Sequence, residues 1–328
     1  VAIRTLSELG ISFLLFVVGL EINLSKLKTV GSAAIFGGLI QIAVIYIAGF
    51  YLALNLGFSQ FEAIIMGLVL TFSSTMIVVK LLSDSEQIDT LHGRIALGIL
   101  LIQDVVVFIA LSLLVAVNDF SISIIAFSLI KLLLLTMAAF ISGKYFFPRI
   151  FNFAAKSPEL LFMSSVTVLF LFTILAHLME FSLAIGAFLG GLSLANLPYH
   201  HDIRGRVNPL KSFFSTLFFV SLGMQLTPIP MEFFKYIAYF LLIIIFLKPT
   251  IIYLLTALFG YEKRTAFLSG LSLGQTSEFS LIIVTLPFVF NLVSAELFSM
   301  VIFLAIVTMI LTSYLLEFQN GIYMLFLP

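Results

Sequence analysis

Residues 93–114 read GRIALGILLIQDVVVFIALSLL, an apolar run with Gln103 and Asp104 near its middle. The run is long enough to form a transmembrane helix. A carboxylate near the centre of a bilayer costs roughly 2.5–3.5 kcal/mol on insertion scales, so it is rarely present without a function. Asp104 is therefore the first candidate functional residue.

Composition places the chain among membrane proteins. Hydrophobic residues make up 62% of the 328 positions and charged residues only 10%, which is more apolar surface than a water-soluble domain can bury. We therefore predict a multi-pass membrane protein that has the lipid bilayer as its solvent. Lys+Arg and Asp+Glu are balanced at 16 each, so no net positive charge attracts nucleic acid, and we expect no nucleic-acid partner.

Several kinds of chemistry lack the residues that they require. The sequence has no cysteine, which excludes disulfides, thiolate metal sites and cysteine catalysis. His177 with Glu180, and His200 with His201, have no third ligand at a suitable spacing for a metal site. The sequence contains neither a phosphate-binding glycine loop nor a nucleophile with its base. We expect no enzymatic activity and no cofactor in this chain.

Hydropathy predicts eleven spanning helices, named A to K in chain order. Strands of a membrane barrel would alternate polar and apolar residues, which these runs do not do. The predicted fold class is an all-α polytopic membrane protein. The predicted spans are residues 3–23 (A), 32–56 (B), 61–82 (C), 93–117 (D), 121–147 (E), 159–179 (F), 181–197 (G), 209–227 (H), 232–259 (I), 264–287 (J) and 295–317 (K).

The basic residues predict an orientation. Only Arg4 and Lys235 flank one side of the spans, whereas twelve cations flank the other, so the second side is predicted to be cytoplasmic. The C-terminus is then cytoplasmic and Val1 faces outward. Two further cations, Lys131 and Lys248, lie inside spans. The twelve are Lys26, Lys28, Lys80, Arg94, Lys144, Arg149, Lys156, Arg204, Arg206, Lys211, Lys263 and Arg264.

Two pairs of similar segments indicate an internal repeat. LFVVGLEINL at 15–24 resembles LFFVSLGMQL at 217–226, and GLVLTFSST at 67–75 resembles GLSLGQTSE at 270–278, with offsets of 202 and 203 residues. Spans A to D therefore correspond to H to K. Since H comes seven spans after A, an odd number, the two copies cross the membrane in opposite senses. This is the inverted-repeat architecture of secondary transporters.

The repeat subdivides one transmembrane domain, residues 1–328. Residues 1–117 form a partial first repeat, residues 121–147 a linker helix and residues 159–317 the second repeat. The second repeat has F and G before H, whereas no span precedes A. A complete duplication would add two helices before Val1, so we expect eleven spans here of thirteen in the parent protein.

The repeat also places two polar clusters at the same depth. Hydroxyls, an amide and a glycine at matching positions are typical of discontinuous helices, whose ends meet substrate near the membrane midplane. Ordinary hydrogen bonding between helices is the alternative. We predict two discontinuous helices that cross. The cluster in C is Thr71, Ser73, Ser74 and Thr75, and the cluster in J is Gly274, Gln275, Thr276, Ser277 and Glu278.

Charged and amide side chains are also predicted deep in the spans. Asp104 is about twelve residues from the cytoplasmic end of D, and Lys248 reaches a similar depth in I, at roughly 1.5 Å per residue. Asp104 and Lys248 either serve transport or form a buried ion pair that only fixes packing. Gln103 either offers an oxygen to an ion or packs against another helix. Glu278 is either a second acid in the substrate path or an acceptor for the half-helix ends in C.

Six segments together resemble one transporter family. They are GLEINLSKL (19–27), TFSST (71–75), GRIALGILLIQDVVV (93–107), GAFLGGLSLA (186–195), FLKPTII (246–252) and GQTSEFSLII (274–283). This ordered set is similar to the second family of monovalent cation:proton antiporters, in particular to its Kef-type potassium efflux branch. The resemblance extends from Glu8 to about Leu316. Two departures are the missing first two helices and the missing nucleotide-binding domain after K.

The resemblance implies roles for individual residues. Asp104 matches the family's aspartate that binds cation and proton in turn, and Gln103 matches the glutamine before it in the potassium branch. Lys248 matches the lysine on the facing helix. The resemblance further implies a homodimer, an elevator-like movement of the core, a prokaryotic plasma (inner) membrane location, and a cytoplasmic regulatory domain or subunit outside this chain.

We therefore expect exchange of a monovalent cation for protons, with Asp104 as the binding site for the transported cation. Potassium is favoured over sodium because Gln103 replaces a possible second acid and the polar cluster in C offers neutral oxygens. The alternatives are a Na⁺/H⁺ antiporter of the same fold, a ligand-gated potassium channel, and a sensor that uses the fold without transport. A fixed lysine repels permeant cations, which argues against a channel.

Overall fold

The computed structural model describes residues 2–21, 32–87, 90–115, 122–179, 181, 183–224, 228–289 and 291–326. Every regular element in these ranges is a helix, which confirms the predicted all-α class. The α-helices are α1 Ala2–Glu21, α2 Ser32–Asn55, α3 Gln60–Thr71, α4 Thr75–Asp84, α5 Leu91–Val115, α6 Ile122–Ile141, α7 Phe147–Ala154, α8 Pro158–Leu178, α9 Leu183–Leu194, α10 His200–Gly223, α11 Phe233–Leu242, α12 Lys248–Leu258, α13 Lys263–Ser272, α14 Glu278–Val289, α15 Ala295–Glu317 and α16 Gln319–Phe326.

Six helical segments of the described chain are long and apolar enough to cross a membrane. Two of them contain a π-helical turn, Ser142–Phe146 between α6 and α7 and Ile243–Leu247 between α11 and α12. The chain is thus a multi-pass membrane protein. The six segments are Ala34–Asn55, Leu91–Leu111, Ile130–Ala154, Pro158–Leu178, Phe233–Leu258 and Ala295–Glu317.

Predicted spans C and J are each divided into two shorter helices. Span C consists of α3 and α4, separated by residues 72–74, which we call the first break. Span J consists of α13 and α14, separated by residues 273–277, the second break. Neither break contains proline. Each break leaves backbone groups at helix ends without intrahelical partners, and tertiary contacts must satisfy them.

The chain separates into two compact units. The first unit comprises Val1–Leu24 and Phe108–Gln225, in which α1 packs on α9 and α10, and α9 also packs on α8. The α1–α9 contact is a close backbone approach, because a Cβ at Gly191 would collide with the main-chain oxygen of Phe16. Only glycine fits there.

The second unit comprises Ser25–Val107 and Leu226–Pro328. Here α2 packs on α3 and α12, α12 packs on α13, and α14 packs on α3 and α15. This unit contains both breaks, together with Asp104 and Lys248. The candidate functional site therefore lies within a single unit.

Candidate functional site

The first break begins at the C-terminus of α3, where a helix leaves its last carbonyl groups without intrahelical partners. Four consecutive main-chain oxygens there accept hydrogen bonds from side chains of α2, α12 and α14. All three donor side chains are fully buried. The bonds are Ser280 Oγ to Val69 O at 2.7 Å, Lys248 Nζ to Leu70 O at 3.2 Å, Gln41 Nε2 to Thr71 O at 3.1 Å, and Lys248 Nζ to Phe72 O at 2.9 Å.

The second break is stabilised in the same way and contacts the first break directly. Gln275 O accepts a hydrogen bond from Lys248 Nζ at 2.7 Å, and Leu273 O accepts one from Ser73 Oγ at 2.9 Å. The Gln275 side chain donates in return to Ser74 O at 3.3 Å. The two breaks thus lie against each other, with side chains of each bonded to main-chain oxygens of the other.

Lys248 connects both breaks through a single ammonium group. Its side chain is fully buried, and its three N–H donors match its three carbonyl acceptors. The positive charge also lies at the C-terminal ends of α3 and α13, where the helix dipole favours a cation. Because all three donors go to carbonyls, none is left for Asp104, and the geometry does not form the hydrogen-bonded ion pair considered as one alternative.

The helices that resume after the breaks have serine caps. Ser74 Oγ accepts from Ile77 N at 3.3 Å at the start of α4, and Ser277 Oγ accepts from Phe279 N at 3.1 Å at the start of α14. Thr276, in the second break, bonds Thr308 through both its N–H and its hydroxyl. Glu278 is the first residue of α14 and is only 2% exposed. A carboxylate is stabilised at a helix N-terminus, where the dipole is positive.

Asp104 lies next to the start of α4. It is 6% exposed, and Thr75 Oγ1 lies 3.1 Å from Oδ1 and 3.2 Å from Oδ2. Thr75 is the first residue of α4, so the carboxylate is close to a helix N-terminus as well as to a hydroxyl. Asp104 and Thr75 are the carboxylate and hydroxyl that could bind a cation or a proton here.

The Gln103 amide, by contrast, is bonded at both ends. Its Oε1 accepts from the backbone N–H of Ser73 at 2.8 Å, and its Nε2 donates to Gln41 Oε1 at 2.7 Å. Sequence reasoning did not identify Gln41, which lies in an otherwise apolar part of α2. The signal that could have found it is one amide in a long apolar run, since a buried amide requires partners.

The predicted site residues therefore come together around the two breaks through direct hydrogen bonds. Lys248 joins the breaks, Gln103 bonds the first break, and Asp104 bonds the residue that follows it. The arrangement provides the buried carboxylates of Asp104 and Glu278, neutral hydroxyls and carbonyls, and the amine of Lys248. These groups can bind one cation or one proton at a time.

Comparisons with known proteins agree on a class of transporter. The sodium/hydrogen exchanger transmembrane family model matches residues 1–318. The chain is 28% identical to K(+) efflux antiporter 4 of Arabidopsis thaliana, over 97% of this chain and 55% of that protein. It is 29% identical to the iron transporter MagA of Paramagnetospirillum magneticum, over 95% and 73%. It is 27% identical to the glutathione-regulated potassium-efflux system protein KefC of Klebsiella pneumoniae, over 86% and 46%. The chain spans about half the length of the two potassium transport proteins.

Proposed function

The chain belongs to the sodium/hydrogen exchanger family, with Kef-type potassium efflux antiporters among its relatives, and from this premise we propose that its parent protein exchanges K⁺ for H⁺. In this proposal Asp104 binds the cation and the proton in turn. The observation that carries it is the buried Asp104 carboxylate beside the first break, with Thr75 Oγ1 in contact. One carboxylate that holds either ion couples the two fluxes by competition.

Lys248 has a defined place in this proposal. It holds the two breaks together through Phe72 O and Gln275 O and supplies a basic group that, when protonated, is positively charged at the site. That charge opposes the accumulation of additional cations, which favours binding of one cation at a time over a continuous pore. An exchanger therefore fits these contacts better than a channel does.

Three correspondences at one residue separation support the repeat. The two oxygens that Lys248 bonds, on Phe72 and Gln275, are separated by 203 residues, and so are the capping residues Ser74 and Ser277. The third is a pair of close helix contacts, Gly67 against Tyr46 O and Gly270 against Pro249 O. The two glycines are separated by 203 residues, and so are Tyr46 and Pro249. We propose that the second unit is the transporting core and contains both repeat-related breaks.

Potassium is the proposed cation because neutral oxygens outnumber carboxylates around the first break. A weakly hydrated cation can bind one carboxylate with neutral hydroxyl and carbonyl oxygens, whereas a strongly hydrated one needs stronger ligands. Sodium is the alternative, and the name of MagA adds iron as a cation to test. We further propose that the protein is a homodimer in the plasma membrane, with a cytoplasmic C-terminus. The proposal also includes a regulatory domain or subunit outside this chain.

Proton flux in proteoliposomes of the full-length parent protein tests the proposal. We expect wild-type protein to produce saturable proton movement driven by K⁺, and Asp104→Asn, which keeps the shape and removes the charge, to abolish it. Na⁺, Li⁺ and Fe²⁺ gradients identify the cation in parallel. Cation flux without coupled proton movement would indicate a channel, and exchange at the wild-type rate in Asp104→Asn would refute the site.

A further inference from the structure

Gln41 is a buried amide on α2 whose hydrogen-bond partners are Thr71 O and Gln103, the latter next to Asp104 in the chain. We propose that Gln41 is a positioning residue for cation binding, acting through Gln103. This inference rests on the proposed function, since it assumes that Asp104 is the cation site. Its basis is a continuous chain of hydrogen bonds among fully buried groups.

The chain of hydrogen bonds joins three elements. Gln41 Nε2 donates to Thr71 O at 3.1 Å, and Gln41 Oε1 accepts from Gln103 Nε2 at 2.7 Å. Gln103 Oε1 then accepts from Ser73 N at 2.8 Å. Both ends of this series of hydrogen bonds are main-chain groups at the first break. Its middle includes Gln103, the residue before Asp104. Gln41 and Gln103 therefore fix the first break to α5.

Position 41 requires a side chain that both donates and accepts, as the Gln amide does. The side chain must donate to a carbonyl and accept from an amide N–H at the same time. An ionised carboxylate accepts but does not donate, and an apolar side chain does neither. In each case Thr71 O would lose its side-chain donor in a buried location, which is costly.

The same geometry explains how Gln41 acts on the cation site. Gln103 and Asp104 are consecutive on α5, and their partners Ser73 and Thr75 are two residues apart across the end of the first break. If Gln41 no longer holds the Gln103 amide, the first break is free to shift relative to Asp104. The distance between the carboxylate and the Thr75 hydroxyl then varies, and cation binding weakens.

Gln41→Met, Gln103→Met and the double variant form a cycle that tests this role in the full-length parent protein. The readout is K⁺-driven proton flux in proteoliposomes, analysed as the K⁺ concentration for half-maximal rate and the maximal rate. Ile45→Met is the matched control, because Ile45 is fully buried one turn further along α2. Gln41→Glu is the second variant, which keeps the shape and loses the donor when the carboxylate is ionised.

We expect Gln41→Met to raise the half-maximal K⁺ concentration about ten-fold, which is the equivalent of one buried hydrogen bond, with the maximal rate within about two-fold. The double variant should be no worse than the more affected single variant, because both interrupt one chain of bonds. Ile45→Met should leave both parameters near wild type. An unchanged half-maximal concentration in Gln41→Met and Gln41→Glu, or additive effects in the double variant, would overturn the proposal.

Hydrogen–deuterium exchange of the peptide containing residues 69–76 separates this proposal from the proposed function. Gln41→Met and Gln103→Met should both accelerate exchange there, Gln103→Met at least as much because it also removes the acceptor of the Ser73 N–H, whether or not the protein transports K⁺. Wild-type protein without any flux but with this acceleration would refute the proposed function and retain the hydrogen-bond role of Gln41. Normal flux with unchanged exchange in Gln41→Met would refute the role of Gln41 alone.

Discussion

At the scale of single residues, Lys248 shows how a cation is accommodated in an apolar interior. A buried charge is unfavourable unless its hydrogen-bonding groups are satisfied. Here Nζ bonds three carbonyl oxygens at the two breaks, from Leu70, Phe72 and Gln275. The lysine and the two breaks are therefore mutually dependent.

Lys248→Met should destabilise the protein strongly. The substitution keeps most of the volume but leaves three buried carbonyls without their lysine donor, and each such group costs about 1–3 kcal/mol. We expect a fall of about 3 kcal/mol or more in the free energy of unfolding, measured by thermal unfolding of the purified parent protein in detergent. Lys235→Met, at an exposed lysine on α11, is the control and should change stability by less than about 1 kcal/mol. Equal stability of the two variants would contradict the structural role of Lys248.

At the scale of elements, the π-helical turn Ile243–Leu247 ends directly before Lys248 and Pro249. Pro249 has no backbone N–H, and its ring would clash with the preceding turn of a regular helix. The wider turn accommodates the proline and ends with the Lys248 N–H bonded to Ile243 O. Its position sets the direction in which Lys248 leaves the helix, toward the two breaks.

Glu62 joins the N-termini of two helices in the second unit. Its Oε2 accepts from the backbone N–H and hydroxyl of Ser59, the N-cap of α3, at 3.2 and 3.0 Å. Its Oε1 accepts from the backbone N–H and hydroxyl of Ser294, the N-cap of α15, at 3.2 and 2.8 Å. A carboxylate at helix N-termini is also favoured by the dipole.

Glu62→Ala should therefore lower stability by about 1–2 kcal/mol, the usual cost of a lost helix cap. Glu296→Ala is the matched control, because Glu296 is also an acidic residue in the first turn of α15 and stands two residues after the same cap. Thermal unfolding of the two variants in detergent is the measurement. If Glu296→Ala lowered stability as much as Glu62→Ala, the effect would come from general helix electrostatics and not from the link between α3 and α15.

At the scale of the whole molecule, each of the two units depends on its own close helix contact. In the first unit, Gly191 of α9 lies against Phe16 O, and in the second, Gly270 of α13 lies against Pro249 O. In both cases the obstacle to a Cβ is main chain, which cannot move aside as a flexible side chain would. The contact at Gly270 also lies beside Lys248, so it supports the candidate site.

Alanine at these two glycines should perturb different units. Hydrogen–deuterium exchange should increase in α1 and α9 for Gly191→Ala, and in α12 and α13 for Gly270→Ala, because each Cβ meets backbone within its own unit. Gly270→Ala should also reduce K⁺-driven proton flux by displacing the start of α12. Gly205→Ala is the control, since a Cβ there meets no atom within 4 Å. Identical exchange patterns for Gly191→Ala and Gly270→Ala would contradict this division.

Much of the protein was predictable from its sequence because membrane solvation leaves few options. Apolar length and the absence of alternation predict spanning helices, since helices satisfy their own backbone groups in lipid. Asp104, Lys248 and the polar clusters were identifiable because such groups are expensive in an apolar environment. The family resemblance was readable from ordered motifs such as GRIALGILLIQDVVV and was confirmed by the family match over residues 1–318.

Tertiary structure alone decided which groups satisfy one another. From the sequence alone, Lys248 could have bonded Asp104 or other groups, and no function could be assigned to Gln41. The contacts that resolve these questions join residues far apart in the chain, such as Lys248 with Leu70 and Ser73 with Leu273. Periodicity and composition report on local structure and burial, whereas a hydrogen bond depends on the direction of two groups brought together by packing. That is why Asp104, Lys248 and the polar clusters could be named from the sequence, whereas their partners, Gln41 among them, could not.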